Sequence, residues 1–312
     1  MRLATVRRGG VAVVVALTDG GLRELTGMLP DPRTAVDPFV QLIEIIDELD
    51  PDVIAAQPLV EEHVSTFAPL VPRPGKIVAA PVNYHDHQEE MKVAGNVSAL
   101  GFFLKSPASV LAHGGTVRLP YTDRRFDQEG ELAFVIKKRA RHIDPGDFLE
   151  YIAGYTCLLD ITMRGGEDRS TRKSFDTFTP VGPYLVTPEE VGCLDDLTLR
   201  CSVNGILRQD ADISDLIWGV PRFLSYASSV MTLEPGDIVT TGTPAGVGEI
   251  AEGDVIEVSI DRIGTLSVTV SAQGAVECPT EGAKSGPRPP AQVTPVRRRT
   301  SASELFNVNT FC

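Results

Sequence analysis

The sequence predicts an α+β fold. It reads as a small N-terminal β/α lobe over residues 1–73, a strand-rich main domain over 74–272 and a Pro- and Arg-rich tail over 273–312. Three observations carry the prediction. Short β-branched and apolar runs, bounded by Gly, Pro, Asn or Asp, recur from residue 77 to residue 270, which is the punctuation of strands and tight turns. Helical three- and four-residue periodicity appears over residues 39–49, and residues 215–231 are amphipathic and helical. From about Ala275 the core-forming residues thin out, which predicts a disordered, solvated extension.

In chain order, residues 11–17 read as a buried strand, and Asp19-Gly20-Gly21 turns into the next one. Asp37 suits a helix N-cap and Pro38 its first position. Phe39, Leu42, Ile43, Ile46 and Leu49 then recur on one helical face until Pro51. His63, beside Glu61 and Glu62, reads as a surface residue. The main domain opens with a strand at 76–82 that leads into a polar stretch, 83–91. Further strands are expected at 102–105, 126–136 and 155–159. Asp144-Pro145-Gly146 should start a helix through 148–153, with Gly154 at its end. Asn204-Gly205 between apolar runs is a hairpin signal. Residues 215–231 are amphipathic and helical, broken near Pro221, and strands follow at 238–241, 255–260 and 266–270.

The chain has 312 residues, 42% hydrophobic and 23% charged, the composition of an ordinary soluble globular protein. Its 29 Lys and Arg against 42 Asp and Glu give a formal net charge of −13. That argues against nucleic acid or an anionic membrane as partner, since both require basic patches. A small anionic substrate needs only a local positive site and remains open. Five cysteines with no C-x-x-C pair do not form a disulfide framework. The apolar run 11–17 is too short for a signal peptide or a membrane span. A cytoplasmic protein is the expectation.

The chemistry centres on residues 126–136. Side chains alternate along a strand, so Glu129 and Glu131 share a face while Leu132, Phe134 and Ile136 take the other. Two neighbouring carboxylates repel and are costly to desolvate. A hard divalent cation between them removes both problems, and oxygen donors favour Mg²⁺, Mn²⁺ or Ca²⁺ over zinc. The same pattern fits an edge strand with two solvated glutamates. Strand 155–159 delivers a third carboxylate, Asp160, and the loop after it, from Arg164 to Thr177, is rich in Arg, Lys and hydroxyl groups that suit an anion. His87 and Glu90, three apart, share a helical face, and a carboxylate holding an imidazole orients a general base. The glycine-rich loop 242–248, which includes Thr243, offers backbone N–H groups to anions.

Together the motifs Asn83-Tyr84-x-x-His87-x-x-Glu90, Glu129-x-Glu131, Gly154-Tyr155-Thr156 with Asp160, Lys173-Ser174-Phe175-Asp176-Thr177, Gly182-Pro183, Asn204-Gly205 and Thr241 through Gly248 resemble the fumarylacetoacetate hydrolase family, in the family's order. The resemblance implies a mixed β-roll, a homodimer and one Mg²⁺ or Mn²⁺ per subunit. It implies that Glu129, Glu131 and Asp160 hold the metal, with Lys173 beside it and the Thr177 hydroxyl organising the site. His87 and Glu90 would form a dyad on a mobile segment, and Arg164 and Thr243 would line the pocket for the substrate carboxylate. The implied activity is hydrolysis of a C–C bond in an acylpyruvate-like 1,3-diketo acid, with a small anionic 2-oxo acid as ligand. Decarboxylation, isomerisation or dehydration on the same scaffold, or a non-catalytic homologue, are the alternatives. Gly130 and Gly165 depart from the family pattern, where a β-branched residue and an acid are usual.

Overall fold

The computed structural model of the chain describes residues 1–31, 37–60 and 65–296. The first strands are β1 (Arg2–Arg8), β2 (Val11–Thr18), β3 (Gly21–Glu24), β4 (Ser65–Phe67), β5 (Ile77–Ala79) and β6 (Phe103–Lys105). They are followed by β7 (Val110–Leu111), β8 (Thr116–Arg118), β9 (Phe126–Gln128), β10 (Gly130–Ile136), β11 (Ile152–Leu159), β12 (Thr162–Met163) and β13 (Thr179–Val186). The last are β14 (Thr198–Val203), β15 (Ile206–Asp212), β16 (Ile238–Thr240), β17 (Gly248–Glu249), β18 (Val255–Ile260) and β19 (Gly264–Ser271). Eleven strands form one mixed sheet in the order β3-β2-β1-β13-β11-β10-β16-β5-β6, with β4 on β1 and β7 on β13. A five-stranded sheet runs β15-β14-β18-β19-β8, and a small one runs β12-β9-β17.

Alternation along β10 builds two cores at once. Leu132, Phe134 and Ile136 enter a core shared with Leu199, Val258 and Leu266 of the five-stranded sheet. Ala133 and Val135 enter a second core on the other face, with Phe39, Leu42 and Ile43 of helix α1 (Pro38–Glu44). Both faces are therefore covered, which is why β10 is buried at every position. Asp37 caps α1 by accepting the Phe39 N–H at 2.8 Å. The Asn204–Gly205 turn joins β14 to β15 with both residues at positive φ, as a two-residue hairpin of the primed kind requires.

Several expectations are corrected. Residues 1–73 do not stand apart as a lobe of their own. Strand β1 pairs with β13, Leu3 opposite Leu185, so the N-terminal strands continue the main sheet and hide its open edge. The segment expected as a helix at 148–153 is a 3₁₀ turn, Pro145–Tyr151, and β11 begins at once after it. Gly154 lies inside that strand, where a Cβ would come within 2.6 Å of the Val186 carbonyl oxygen. Its use is close strand packing rather than capping. The expected strand 126–136 is interrupted at Glu129, with β9 in the small sheet and β10 in the large one. The tail is held against the main domain over its described part, residues 273–296, because main-domain side chains hydrogen-bond its backbone and hydroxyl groups. The segment containing His63 and the arginines at 297–299 lie outside the described residues.

Short helices complete the frame: α2 (Pro51–Ala55), α3 (His85–Met91), α4 (Val97–Leu100), α5 (Arg169–Arg172), α6 (Pro188–Val191) and α7 (Val220–Val230). Among the described residues no helix is long and apolar enough to cross a membrane.

Candidate active site

The site is made where the chain leaves one sheet for another. Glu129 stands in the break between β9 and β10, and its carbonyl accepts the N–H of Asp160 at 2.8 Å. This bond clamps the end of β11 to the break. Gly130 has its N–H donated to Gln209 Oε1 at 2.9 Å, and a Cβ there would meet Cys201 Cβ at 3.0 Å and Val258 Cγ2 at 3.1 Å. The departure at Gly130 is thus a close approach between two sheets. Glu131 follows on β10, where its Oε2 accepts the hydroxyl of Thr240 and the N–H of Gly242. One oxygen from each of Glu129, Glu131 and Asp160 lies within 4.8 Å of the others, and all three residues are buried.

Cations surround this triad. Lys173 Nζ donates to Glu129 at 2.6 Å and also to Asp160. Lys105 Nζ donates to Asp160 and to the Phe178 carbonyl. Arg164 bridges Asp127 at 2.7 Å and Glu129 at 2.8 Å. Burial raises the Glu129 carboxyl, but Lys173 and Arg164 outweigh it and hold the group well below the usual carboxylate range. Among the described residues no cation forms an ion pair with Glu131; burial, then the charge of Asp160, pushes it up to about 8. Burial lowers Lys105 despite its bond to Asp160.

The donor set fits a hard divalent ion. All three donors are carboxylates, no thiolate or imidazole is among them, and burial, with Asp160 beside it, pushes the Glu131 carboxyl up. A dication opposes that shift.

The signs of the two shifts predict a pH dependence. Between pH 4.5 and 8 the folded metal-free chain holds a proton on Glu131 that the unfolded chain has released, so stability falls as pH rises through about 8. Glu129 acts oppositely, and its contribution is lost as pH falls below the unfolded carboxylate range. An incoming ion must displace the Glu131 proton, so Mn²⁺ affinity should be weaker at pH 6 than at pH 8 by up to about 100-fold. Calorimetric titration at the two pH values, with proton release read from the buffer dependence, checks this.

The dyad approaches from α3. Its root is fixed by Asn83, whose side chain accepts the Trp218 N–H and donates to the carbonyls of Trp218 and Thr241. His87 Nδ1 meets Glu90 Oε2 at 3.0 Å, and both side chains are buried. A carboxylate only accepts, so Nδ1 carries the proton and Nε2 the basic lone pair. Glu90 Oε1 accepts the N–H of Gly246 at 2.9 Å. The glycine-rich loop does donate its N–H groups, and the acceptors are carboxyl oxygens of the protein's own Glu131 and Glu90. Gly242 and Gly246 both sit at positive φ; a Cβ at Gly246 would strike the Arg208 carbonyl, and one at Gly242 would crowd Asn83 Cβ at 3.0 Å.

Glu129, Glu131, His87, Arg164, Lys173 and Thr243 line one cavity of about 50 Å³, together with Arg169 and Arg172 of α5. Thr243 donates its hydroxyl to the Gly130 carbonyl and accepts from Gln209, so it fixes the wall. Arg164 likewise spends its guanidinium on Asp127 and Glu129. Thr177 is not brought to this cavity. Its hydroxyl accepts the Arg118 N–H at 2.9 Å and ties down the loop after α5. Sequence reasoning passed over Lys105, Asp127 and Gln209, and did not single out Arg172. The signal for Lys105 was a strand ending in a lysine; the signal for Arg172 was its spacing of one from Lys173. Arg172 is buried, lines the cavity and forms no ion pair among the described residues.

Buried carboxylates on a mixed-sheet scaffold, with a histidine–glutamate pair at the rim, define a divalent-metal site of the kind found in enzymes. Residues 76–271 match the family described as fumarylacetoacetate (FAA) hydrolase, C-terminal, and the chain belongs to that family. It is 38% identical over 262 residues to a maleylpyruvate hydrolase of Aquipseudomonas alcaligenes, covering 79% of this chain and 91% of that protein. A solved maleylpyruvate hydrolase from Sphingobium sp. SYK-6, in complex with manganese(II) and pyruvate, superposes with a TM-score of 0.77. It is 34% identical and covers 87% of this chain and 99% of its own. A 2-hydroxyhepta-2,4-diene-1,7-dioate isomerase from Mycobacterium marinum is similar at 28% identity and a TM-score of 0.68, covering 88% of this chain and 99% of its own.

Proposed function

We propose that the protein is a divalent-metal-dependent hydrolase that cleaves a C–C bond in an acylpyruvate-like 1,3-diketo acid, giving a carboxylic acid and pyruvate or a substituted pyruvate. The observation that carries the reading is that Glu129 and Glu131 of the three-carboxylate cluster line one cavity together with His87, which is hydrogen-bonded to Glu90. The likeness to a hydrolase structure holding manganese(II) and pyruvate supports the ligand class.

Glu129, Glu131 and Asp160 would hold Mg²⁺ or Mn²⁺. When bound, that ion supplies Lewis-acid stabilisation of the negative charge that develops on the substrate's keto oxygen as the C–C bond breaks. The chain's own groups do the rest. The triad carries three negative charges against the three positive charges of Lys105, Lys173 and Arg164 that touch it, so a dication leaves the centre net positive and matched to an anion. Arg172 receives the substrate carboxylate, since its guanidinium faces the cavity without an ion pair of its own. Lys173 adds positive charge where the oxyanion forms. His87 removes a proton from water at Nε2, and the water oxygen attacks the distal carbonyl. The C–C bond then breaks toward the pyruvate half, which recovers a proton at its methylene carbon, so one water is consumed overall. Glu90 fixes the imidazole tautomer and steadies the imidazolium. Isomerisation of a 2-oxo acid on the same metal site is the second reading, favoured by the likeness to the isomerase. We propose a homodimer as the working state.

The test is a screen of acylpyruvates, fumarylpyruvate and oxaloacetate with the full-length chain. Hydrolysis should vanish with a chelator and return with Mg²⁺ or Mn²⁺. Metal-dependent isomerisation without hydrolysis of any diketo acid would replace the first reading with the second.

A further inference from the structure

The tail does not leave the molecule where the family match ends at residue 271; it turns back across the active site. It is first anchored by Arg124, which donates to Glu167, to Cys278 Sγ at 3.1 Å and to Thr280 Oγ1 at 3.0 Å. The Gly166 N–H then donates to the Gly282 carbonyl at 2.9 Å. Arg125 donates to the Pro290 carbonyl at 3.2 Å. Pro287 lines the metal cavity itself. Thr294 ends the crossing by donating its hydroxyl to Glu90 Oε1 at 2.6 Å, the same oxygen that accepts Gly246.

The docking has left a mark in the sequence. A Cβ at Gly165 would collide with Arg124 Nη2 and Glu167 Oε2, both of which hold the anchor, and would lie 3.1 Å from the Gly282 carbonyl oxygen. A Cβ at Gly166 would collide with Ser285 Oγ, and one at Gly286 with the Gly165 carbonyl. The loop and the tail therefore meet backbone to backbone, and glycine is the residue that permits it. The departure at Gly165 from the family pattern has its physical reason here.

We propose that residues 278–296 form a strap that closes the active site and restricts the substrates it admits. The cavity beneath it is about 50 Å³, against the roughly 300–1,000 Å³ of pockets that bury small-molecule ligands. Diketo-acid binding thus requires the strap and α3 to lift together, coupled through the Thr294–Glu90 bond. Compact oxo acids of pyruvate size are admitted with the smallest displacement, and long acyl chains require release of the strap. Thr294 is a positioning residue, since it acts on the reaction through Glu90. The proposal rests on the metal–oxo acid reading of the site.

The test compares the full chain with one ending at Val276 and with the full-length double variant Thr294→Val, Pro287→Gly, which carries the same test if the shorter chain fails to fold. Amide hydrogen exchange over residues 85–91, measured without metal, should rise at least tenfold in both variants. Association of a long-chain 2-oxo acid, 2-oxooctanoate, with the Mn²⁺-loaded protein should also be at least tenfold faster, and that of oxalate less accelerated. Exchange and association unchanged within twofold would overturn the strap. If oxalate binds no form, the metal–oxo acid reading fails, and the metal-free exchange comparison still decides whether the strap holds α3 closed.

Discussion

Glu129→Gln and Glu131→Gln should each abolish metal-dependent turnover and yet move the stability of the metal-free protein in opposite directions. Glu129 accepts from Lys173 and Arg164, two cations buried with it. A neutral amide takes one of two counter-charges from each, leaving Lys173 with Asp160 and Arg164 with Asp127, and breaking a buried pair from one side costs up to about 3–5 kcal/mol. Glu131 takes its hydrogen bonds from the Thr240 hydroxyl and the Gly242 N–H, and a glutamine carbonyl oxygen can accept both. What the amide removes is a carboxylate pushed up to about 8 by burial and the neighbouring Asp160. Glu131→Gln should therefore be stabilising at pH 6, where the unfolded wild-type side chain has already released its proton, and more strongly so at pH 9, where the folded one is ionised as well. Both variants lose a ligand, so Mn²⁺ affinity should fall by more than the ~10–100-fold typical of outer-shell substitutions. Chemical denaturation in chelator at the two pH values, beside metal titration, reads all of this. A shared sign for the two stability changes would show that the triad is not asymmetrically charged.

That asymmetry marks the limit of what the sequence discloses. Glu129-x-Glu131 announces two carboxylates on one face, and strand 155–159 places Asp160 at a strand end, because strand alternation is a local property of the backbone. The clamp that makes them a site is the bond from the Asp160 N–H to the Glu129 carbonyl, between residues 31 apart in sequence. It depends on a break in β10's extension that apolar content does not mark. The same reasoning applies to the cations. Lys173 stands in a motif, whereas Lys105 ends an ordinary-looking strand and becomes a partner of Asp160 only once β6 reaches the edge of the large sheet. Thr177 shows the converse, a motif residue whose hydroxyl is used for loop closure at Arg118. The N-terminal strands read as a separate unit because their pairing with β13 spans more than 180 residues, and no local signal encodes such a pairing. Composition alone also missed the strap, since its hold on the domain comes from a few hydrogen bonds and glycine contacts rather than from apolar burial.

His87→Ala should separate the chemistry from the binding. The imidazole is not among the carboxylate ligands, and its Nδ1 is committed to Glu90, so its loss leaves the triad and the Lys173 and Lys105 contacts in place. Mn²⁺ and oxalate affinities should stay within about threefold of wild type, while hydrolysis falls by roughly 10³, inside the 10²–10⁴ range of general-base contributions. A reaction that needs no activated water gives the contrast. Metal-assisted decarboxylation of oxaloacetate depends on charge stabilisation at the keto oxygen, and the variant should retain any such activity of the wild type. Glu90→Gln should lie between these limits, because the ring keeps its place but the amide no longer steadies the imidazolium. Steady-state kinetics on an acylpyruvate and on oxaloacetate, run on the same preparations, reads the split. Equal losses on both substrates would mean that His87 holds the substrate rather than activating water, and the hydrolytic role would then have to pass to another group in the cavity.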